Sequence, residues 1–145
     1  MKPLPEVLLV DDNPGDGLLA QEALVGSRHH SHINRVENGE EAMAYLHRAG
    51  QYANAVRPDL VILDLNMPKK DGRAVLTEAK AAADLRTIPI VVFSTSRALL
   101  DILRSYELGA NCYVNKPGSL NEYFRAVQSI EEFWFGDVRL PREEK

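Results

Sequence analysis

Residues 60–66 read Leu-Val-Ile-Leu-Asp-Leu-Asn, an unbroken apolar run interrupted by a carboxylate at Asp64. A strand with one wet face alternates apolar and polar residues. A run that is apolar throughout marks a strand covered on both faces, as in a parallel sheet. Taking the central run as Leu60 to Leu65, the same pattern recurs outward along the chain. Upstream, Val7 to Val10 leads into Asp11-Asp12, and Ile33 to Val36 is a weaker run that reads as an edge strand. Downstream, Ile88 to Phe93 leads into Ser94-Thr95-Ser96, and Cys112 to Val114 stands just before Lys116-Pro117. Pro58 and Pro89 fall before or at strand starts, where a missing N–H is tolerated.

Segments of helical period separate these runs. Leu19, Ala20, Ala23 and Leu24 share one face of the first. Asn38, with Glu41 three residues later, suits a capping-box start for the second. Val75, Leu76 and Ala79 mark the third, after the turn signal Asp71-Gly72. Leu99, Ile102, Leu103 and Tyr106 space as i, i+3, i+4, i+7 in the fourth, which stops near Gly109. Leu120, Tyr123, Phe124, Val127 and Ile130 form the fifth, and all five stripes are read as core. Five successive strand–helix units imply right-handed crossovers and an α/β doubly wound sheet.

The totals fit one such domain. The chain has 145 residues, 45% hydrophobic and 26% charged, in the range of a globular protein. No apolar run approaches the 18 or more residues of a membrane span, and Met1 to Glu6 lacks the apolar stretch of a secretory signal. The lone Cys112 offers no disulfide framework and points to a cytoplasmic setting. With a net charge of −4 and only Lys69-Lys70 as a basic pair, no nucleic-acid surface is expected.

Ligands of open α/β sheets bind beyond the carboxyl ends of the strands. Reading off those ends gives Asp11 and Asp12, Asp64, Ser94 and Lys116. Three carboxylates on one rim repel, and a hard divalent cation resolves the conflict. Mg²⁺ is commonly held by one or two carboxylates together with phosphate oxygens. Lys116 adds a point charge suited to a phosphoryl oxygen, and the Ser94 hydroxyl a hydrogen bond to another. These parts suit in-line phosphoryl transfer to a carboxylate.

With these residues in place, the chain resembles response regulator receiver domains over residues about 6 to 133. The resemblance implies a flavodoxin-like (βα)5 fold with strand order 2-1-3-4-5, in a single domain with a short extension over about 134–145. It implies that Asp64 accepts a phosphoryl group from a kinase histidine. Mg²⁺ would be held by Asp12, Asp64 and the backbone carbonyl of Asn66, with Asp11 nearby through water. Ser94 and Tyr113 fall at the family's switch positions, and Lys116-Pro117 at its Lys-Pro pair, whose peptide bond is usually cis. On this reading Lys116 and Ser94 move toward phosphorylated Asp64 and Tyr113 turns inward.

More narrowly, Tyr45-Leu46, Gln51-Tyr52-Ala53-Asn54, Arg57-Pro58-Asp59 and Pro68 to Arg73 resemble the stand-alone regulators that partner phytochrome-type histidine kinases, as do Asn111-Cys112-Tyr113 and Ile130 to Trp134. That implies a phosphorelay protein that is not an enzyme acting on a separate substrate. With no effector domain following, its output would run through protein contact. Phe133-Trp134-Phe135, unlikely to be covered within one domain, points to a homodimer through the face of helix four, strand five and helix five.

Other readings compete for the same residues. Gly15-Asp16-Gly17-Leu18-Leu19-Ala20 fits the dinucleotide pattern G-x-G-x-x-A, with Glu37 about 20 residues on. Against it, Asp11 and Asp12 would face the pyrophosphate, and a second mononucleotide-binding half is missing. A haloacid-dehalogenase-type phosphohydrolase also uses a strand-end Asp with Mg²⁺. It needs an acid two residues on, where this chain has Asn66. His29, His30 and His32 read as a solvated loop before the edge strand, and Cys112 as a small buried hydrophobe.

Overall fold

The computed structural model describes residues 4–25, 29–67 and 69–141. Five strands, β1 (Glu6–Val10), β2 (His32–Val36), β3 (Leu60–Leu63), β4 (Ile90–Ser94) and β5 (Cys112–Asn115), form one sheet in the order β2-β1-β3-β4-β5. Every pairing is parallel, so the sheet is the expected flavodoxin-like one. The helices are α1 (Pro14–Val25), α2 (Gly39–His47), α3 (Gly72–Ala81), α4 (Leu99–Glu107) and α5 (Leu120–Glu132). None of the described helices is long and apolar enough to cross a membrane.

Alternation along the central strands divides the core in two. Leu8, Val10, Val61, Leu63, Ile90 and Val92 pack with the apolar faces of α2 and α3. Val7, Leu9, Leu60, Ile62, Val91 and Phe93 pack with Ala20, Ala23 and Leu24 of α1 and Tyr123, Val127 and Ile130 of α5. Burial of each such leucine or isoleucine contributes about 1.5–3 kcal/mol. Between Glu6 at the start of β1 and Ser94 at the end of β4 the inner strands carry only apolar residues, so the sheet is packed from both sides.

Local chemistry sets the boundaries. β3 stops at Leu63, two residues short of the expected run, although the Asp64 N–H still bonds the Val10 carbonyl at 3.0 Å. Beyond it the chain turns, and the Leu65 carbonyl accepts the Gly72 N–H at 2.9 Å. Gly72 is required here, because a Cβ would run into the Asp64 carbonyl. β4 begins at Ile90 rather than Ile88, since the Ile88 N–H closes a turn onto Leu85. The Asn38 side chain caps α2 by accepting from Glu41 N–H, as expected, while the Glu41 carboxylate reaches back to the N–H of Glu37, one residue before the cap.

Three expectations are corrected. The α4 stripe is not core: Leu99 is 68% exposed, Leu103 50% and Tyr106 48%, Ile102 is half-buried, and Ser105 is the buried residue of the helix. With β5 at the sheet edge, α4 has little sheet beneath it, and periodicity alone does not reveal that. His32 is not in a preceding loop but opens β2, its Nδ1 2.6 Å from Glu6 Oε2. The described part of the extension, to residue 141, follows a π-helical turn over Phe133–Asp137 back onto the core. Trp134 is buried in the second cluster, with Phe135, Val138 and Leu140 packed beside it, and only Phe133 of the aromatic trio is exposed. Cys112 is half-buried against the same cluster, and burial pushes its thiol above the usual range.

Candidate functional site

The carboxyl ends of β1, β3, β4 and β5 deliver most of the expected residues to one rim. Asp11 and Asp12 follow β1, Asp64 follows β3, Ser94 closes β4, and Lys116 follows β5. Asp11, Asp12 and Asp64 each offer a carboxylate oxygen within 4.8 Å of the others. Asp11 is buried, Asp64 half-buried and Asp12 exposed, so the cluster opens to solvent on the Asp12 side.

Lys116 lies at the centre. Its buried Nζ donates to Asp11 Oδ2 at 2.8 Å, Asp16 Oδ2 at 3.1 Å and Asp64 Oδ2 at 3.4 Å, and stands 5.9 Å from the centroid of the Phe93 ring. Burial opposes its charge, but Asp11, Asp64 and Asp16 outweigh that and hold the ammonium well above the usual lysine range. For Asp64, burial dominates and raises the carboxyl above its usual value. Asp11 pushes the same way, while Lys116 and the Asn66 N–H oppose.

Asp11, Asp16 and Asp64 thus take all three N–H bonds of one ammonium, with Asp12 beside Asp11 and Asp64. Such a set of hard oxygens with excess negative charge fits a divalent cation, which would sit among Asp11, Asp12 and Asp64. Asn66 is exposed, and its N–H lies 3.5 Å from Asp64 Oδ1.

Ser94 is fully buried, and its hydroxyl accepts the Ser96 N–H at 3.2 Å rather than bonding to Asp64. Tyr113 is already half-buried against the first core cluster, where a later inward turn was expected. Its hydroxyl donates to the Ser96 carbonyl at 2.8 Å. Ser96 in turn donates from Oγ to Asp101 at 2.6 Å, and Arg73 bonds the other Asp101 oxygen at 2.7 Å. The Lys116–Pro117 peptide is trans, as no described peptide bond is cis. The small energy gap of an X–Pro bond permits either form.

Sequence reasoning missed Asp16 as a site residue, weighing its glycine-flanked segment only as a dinucleotide pattern and rejecting that. An acidic residue in the first helical turn after a strand-end Asp pair was the available signal. Its carboxylate at Lys116 places negative charge where a pyrophosphate would have to sit.

The family model for the response regulator receiver domain matches residues 7–128. The chain belongs to this family. Receiver domains are signalling domains of two-component systems and bind divalent metal. This receiver domain is 47% identical over 135 residues to response regulator Rcp1 of Synechocystis sp., covering 93% of this chain and 92% of that protein. Among solved structures it is similar to the phosphorylated cyanobacterial phytochrome response regulator RcpA, with TM-score 0.93 and 49% identity over 97% of this chain and 100% of that one. The Mn²⁺-bound form of Rcp1 aligns with TM-score 0.91 and 46% identity, covering 95% and 99% of the two chains.

Proposed function

We propose that this receiver domain takes a phosphoryl group onto Asp64 from the phosphohistidine of a phytochrome-type sensor kinase, with Mg²⁺ bound at Asp12, Asp64 and the Asn66 carbonyl. The observation that carries this reading is Lys116 Nζ at 3.4 Å from Asp64 Oδ2, beside a three-carboxylate cluster. In the transfer the N–P bond of the phosphohistidine breaks and a bond forms from Asp64 Oδ to phosphorus. A bound divalent cation supplies charge neutralisation for the phosphoryl oxygens. Lys116 stays protonated and pairs with one phosphoryl oxygen, and the Ser94 hydroxyl, on leaving Ser96, donates to another. Asp11 holds Lys116 and orders water toward the cation. The kinase class rests on the similarity to proteins described as phytochrome and bacteriophytochrome response regulators.

The phosphoryl group adds a charge of roughly −1.5 to −2 at the rim. Ser94 and Tyr113 meet at Ser96, the hydroxyl accepting its N–H and the phenol donating to its carbonyl, so a shift of Ser94 reaches Tyr113 and the first turn of α4 through one residue. This biases a pre-existing equilibrium. The domain's only chemistry is on its own Asp64, in one folded unit that includes the extension and works in the cytoplasm without contacting DNA.

Incubation with acetyl phosphate and Mg²⁺, followed by intact-mass measurement, tests the proposal. One phosphoryl adduct is expected, mapping to Asp64, and chelation before the reaction should prevent it. Failure to label with Mg²⁺ present would remove the function.

For output, we propose a homodimer through α4, β5 and α5. Leu99, Leu100, Leu103 and Tyr106 on α4 and Leu120 on α5 are all exposed, an apolar patch larger than scattered surface residues require. Trp134 belongs to the core, so its replacement would perturb folding rather than report on this surface. Leu103→Glu is the better probe, since it puts a charge into the patch at a position already half exposed in the monomer. Sedimentation velocity should show the acetyl-phosphate-treated protein as a dimer and Leu103→Glu as a monomer, with association weakened at least tenfold by an unpaired buried charge.

A further inference from the structure

We infer that Asp16 is a positioning residue for phosphoryl transfer: with Asp11, it fixes the Lys116 ammonium so that the third N–H bond is aimed at Asp64. The inference rests on reading Asp64 as the phosphoacceptor. An ammonium carries three donors and no acceptor. Here each donor has its own carboxylate, Asp11 at 2.8 Å, Asp16 at 3.1 Å and Asp64 at 3.4 Å. A lysine side chain is a point charge on a flexible four-carbon stem. One strong partner sets the distance of such a group but leaves it free to rotate. Two partners in separate places, just after β1 and in the first turn of α1, fix its rotation and leave the longest contact, that to Asp64, as the one open to a phosphoryl oxygen.

Asp16 is itself held in place for this task. Its N–H donates to Asn13 Oδ1 at 3.1 Å, and its carbonyl accepts the hydroxyl of buried Tyr123 at 3.0 Å. That second bond ties the first turn of α1 to α5 across more than 100 residues. Burial raises the Tyr123 phenol well above its usual range, so the donor keeps its proton throughout neutral conditions. Asp16 also lies outside the trio of carboxylates whose oxygens converge within 4.8 Å. Its negative charge therefore serves the ammonium rather than the cation. A salt bridge that merely stabilised the fold would not need to occupy the last donor of the group that faces Asp64.

The test is a double-mutant cycle read by the rate of Asp64 labelling from phosphoramidate at saturating Mg²⁺. Asp16→Ala should slow labelling about tenfold, the effect of losing one charged hydrogen bond in the transition state. Asp16→Asn, which keeps an oxygen acceptor without the charge, should recover part of the loss. Mg²⁺ affinity should stay within about twofold in both. In a Lys116→Met background, Asp16→Ala should slow labelling no further. Equal losses in both backgrounds, or a rate within twofold of the parent, would overturn the role.

A second readout does not depend on phosphorylation. ¹⁵N-lysine spectra should show a protected Lys116 ammonium, slow to exchange with water, that becomes fast-exchanging in Asp16→Ala. Unchanged exchange would also overturn the proposal. A parent protein that shows the protected ammonium but takes no label would instead overturn the reading of Asp64 and leave the tripod standing.

Discussion

Asp64→Asn is expected to take no phosphoryl group from acetyl phosphate and Mg²⁺, with the intact-mass adduct falling below detection. An amide matches the carboxylate in shape, so the rim keeps its geometry while its nucleophilic oxygen is lost. Burial raises the Asp64 carboxyl, which means that the fold disfavours its charge when no cation is bound. Two consequences follow for pH and stability. In the metal-free protein the ionised form, which is the nucleophile, should be lost as pH drops through a value above the ordinary carboxylate range near 4. For a group whose acid form the fold prefers, charging costs stability at every pH above the raised value. Metal-free Asp64→Asn should therefore unfold at a slightly higher denaturant concentration than the parent at neutral pH, with the difference vanishing toward acid. Retained labelling would mean that another carboxylate accepts the group, with Asp12 the first suspect because it is exposed within the same cluster.

Much of this molecule was legible before any coordinates. The strands of the inner sheet announce themselves because burial on both faces forbids polar residues between Leu60 and Leu63 or from Val7 to Val10. Once those runs are placed, the strand-end rule puts Asp11, Asp12, Asp64, Ser94 and Lys116 on one rim. What remained hidden depends on what lies beneath an element or across the sheet. The α4 stripe has a helical period indistinguishable from that of α5, yet α5 rests on β1, β3 and β4 side chains while α4 stands near the sheet edge. Trp134 looked uncovered because nothing local shows that the chain after α5 folds back onto the second cluster. Asp16 was obscured by its flanking glycines, which favour reading a loop, whereas its role is set by Lys116, 100 residues away. Tyr113 was expected to turn inward only on phosphorylation; its half-buried pose was not legible, since that depends on the Ser96 carbonyl it bonds.

Lys116→Met should show the largest stability change in the protein: about 3–5 kcal/mol lost in urea unfolding without metal, the cost of stripping a buried charge cluster of its counter-ion. Methionine nearly fills the same volume beside Phe93, so packing contributes little and electrostatics dominates. The effect also has a direction in pH. The folded state holds the ammonium above its usual range, so its contribution is fully present below the ordinary lysine value near 10.4 and fades as pH rises beyond it. Between neutral pH and about 4, therefore, the Lys116 contribution in the parent is constant. In the variant, Asp11, Asp16 and Asp64 face one another without relief, and protonation of one of them relieves the repulsion. The gap between variant and parent should accordingly narrow as pH falls toward 4. Saturating Mg²⁺ should narrow it too, by about 1.4 kcal/mol for each tenfold by which the more negative variant site binds the cation more tightly than the parent. Labelling of Asp64 in the metal-loaded variant should still drop at least tenfold, since neutralising the cluster does not replace the N–H aimed at the phosphoryl oxygen. A variant whose instability ignored both pH and Mg²⁺ would show that Lys116 is held there for packing, and that the four aspartates do not form one electrostatic unit.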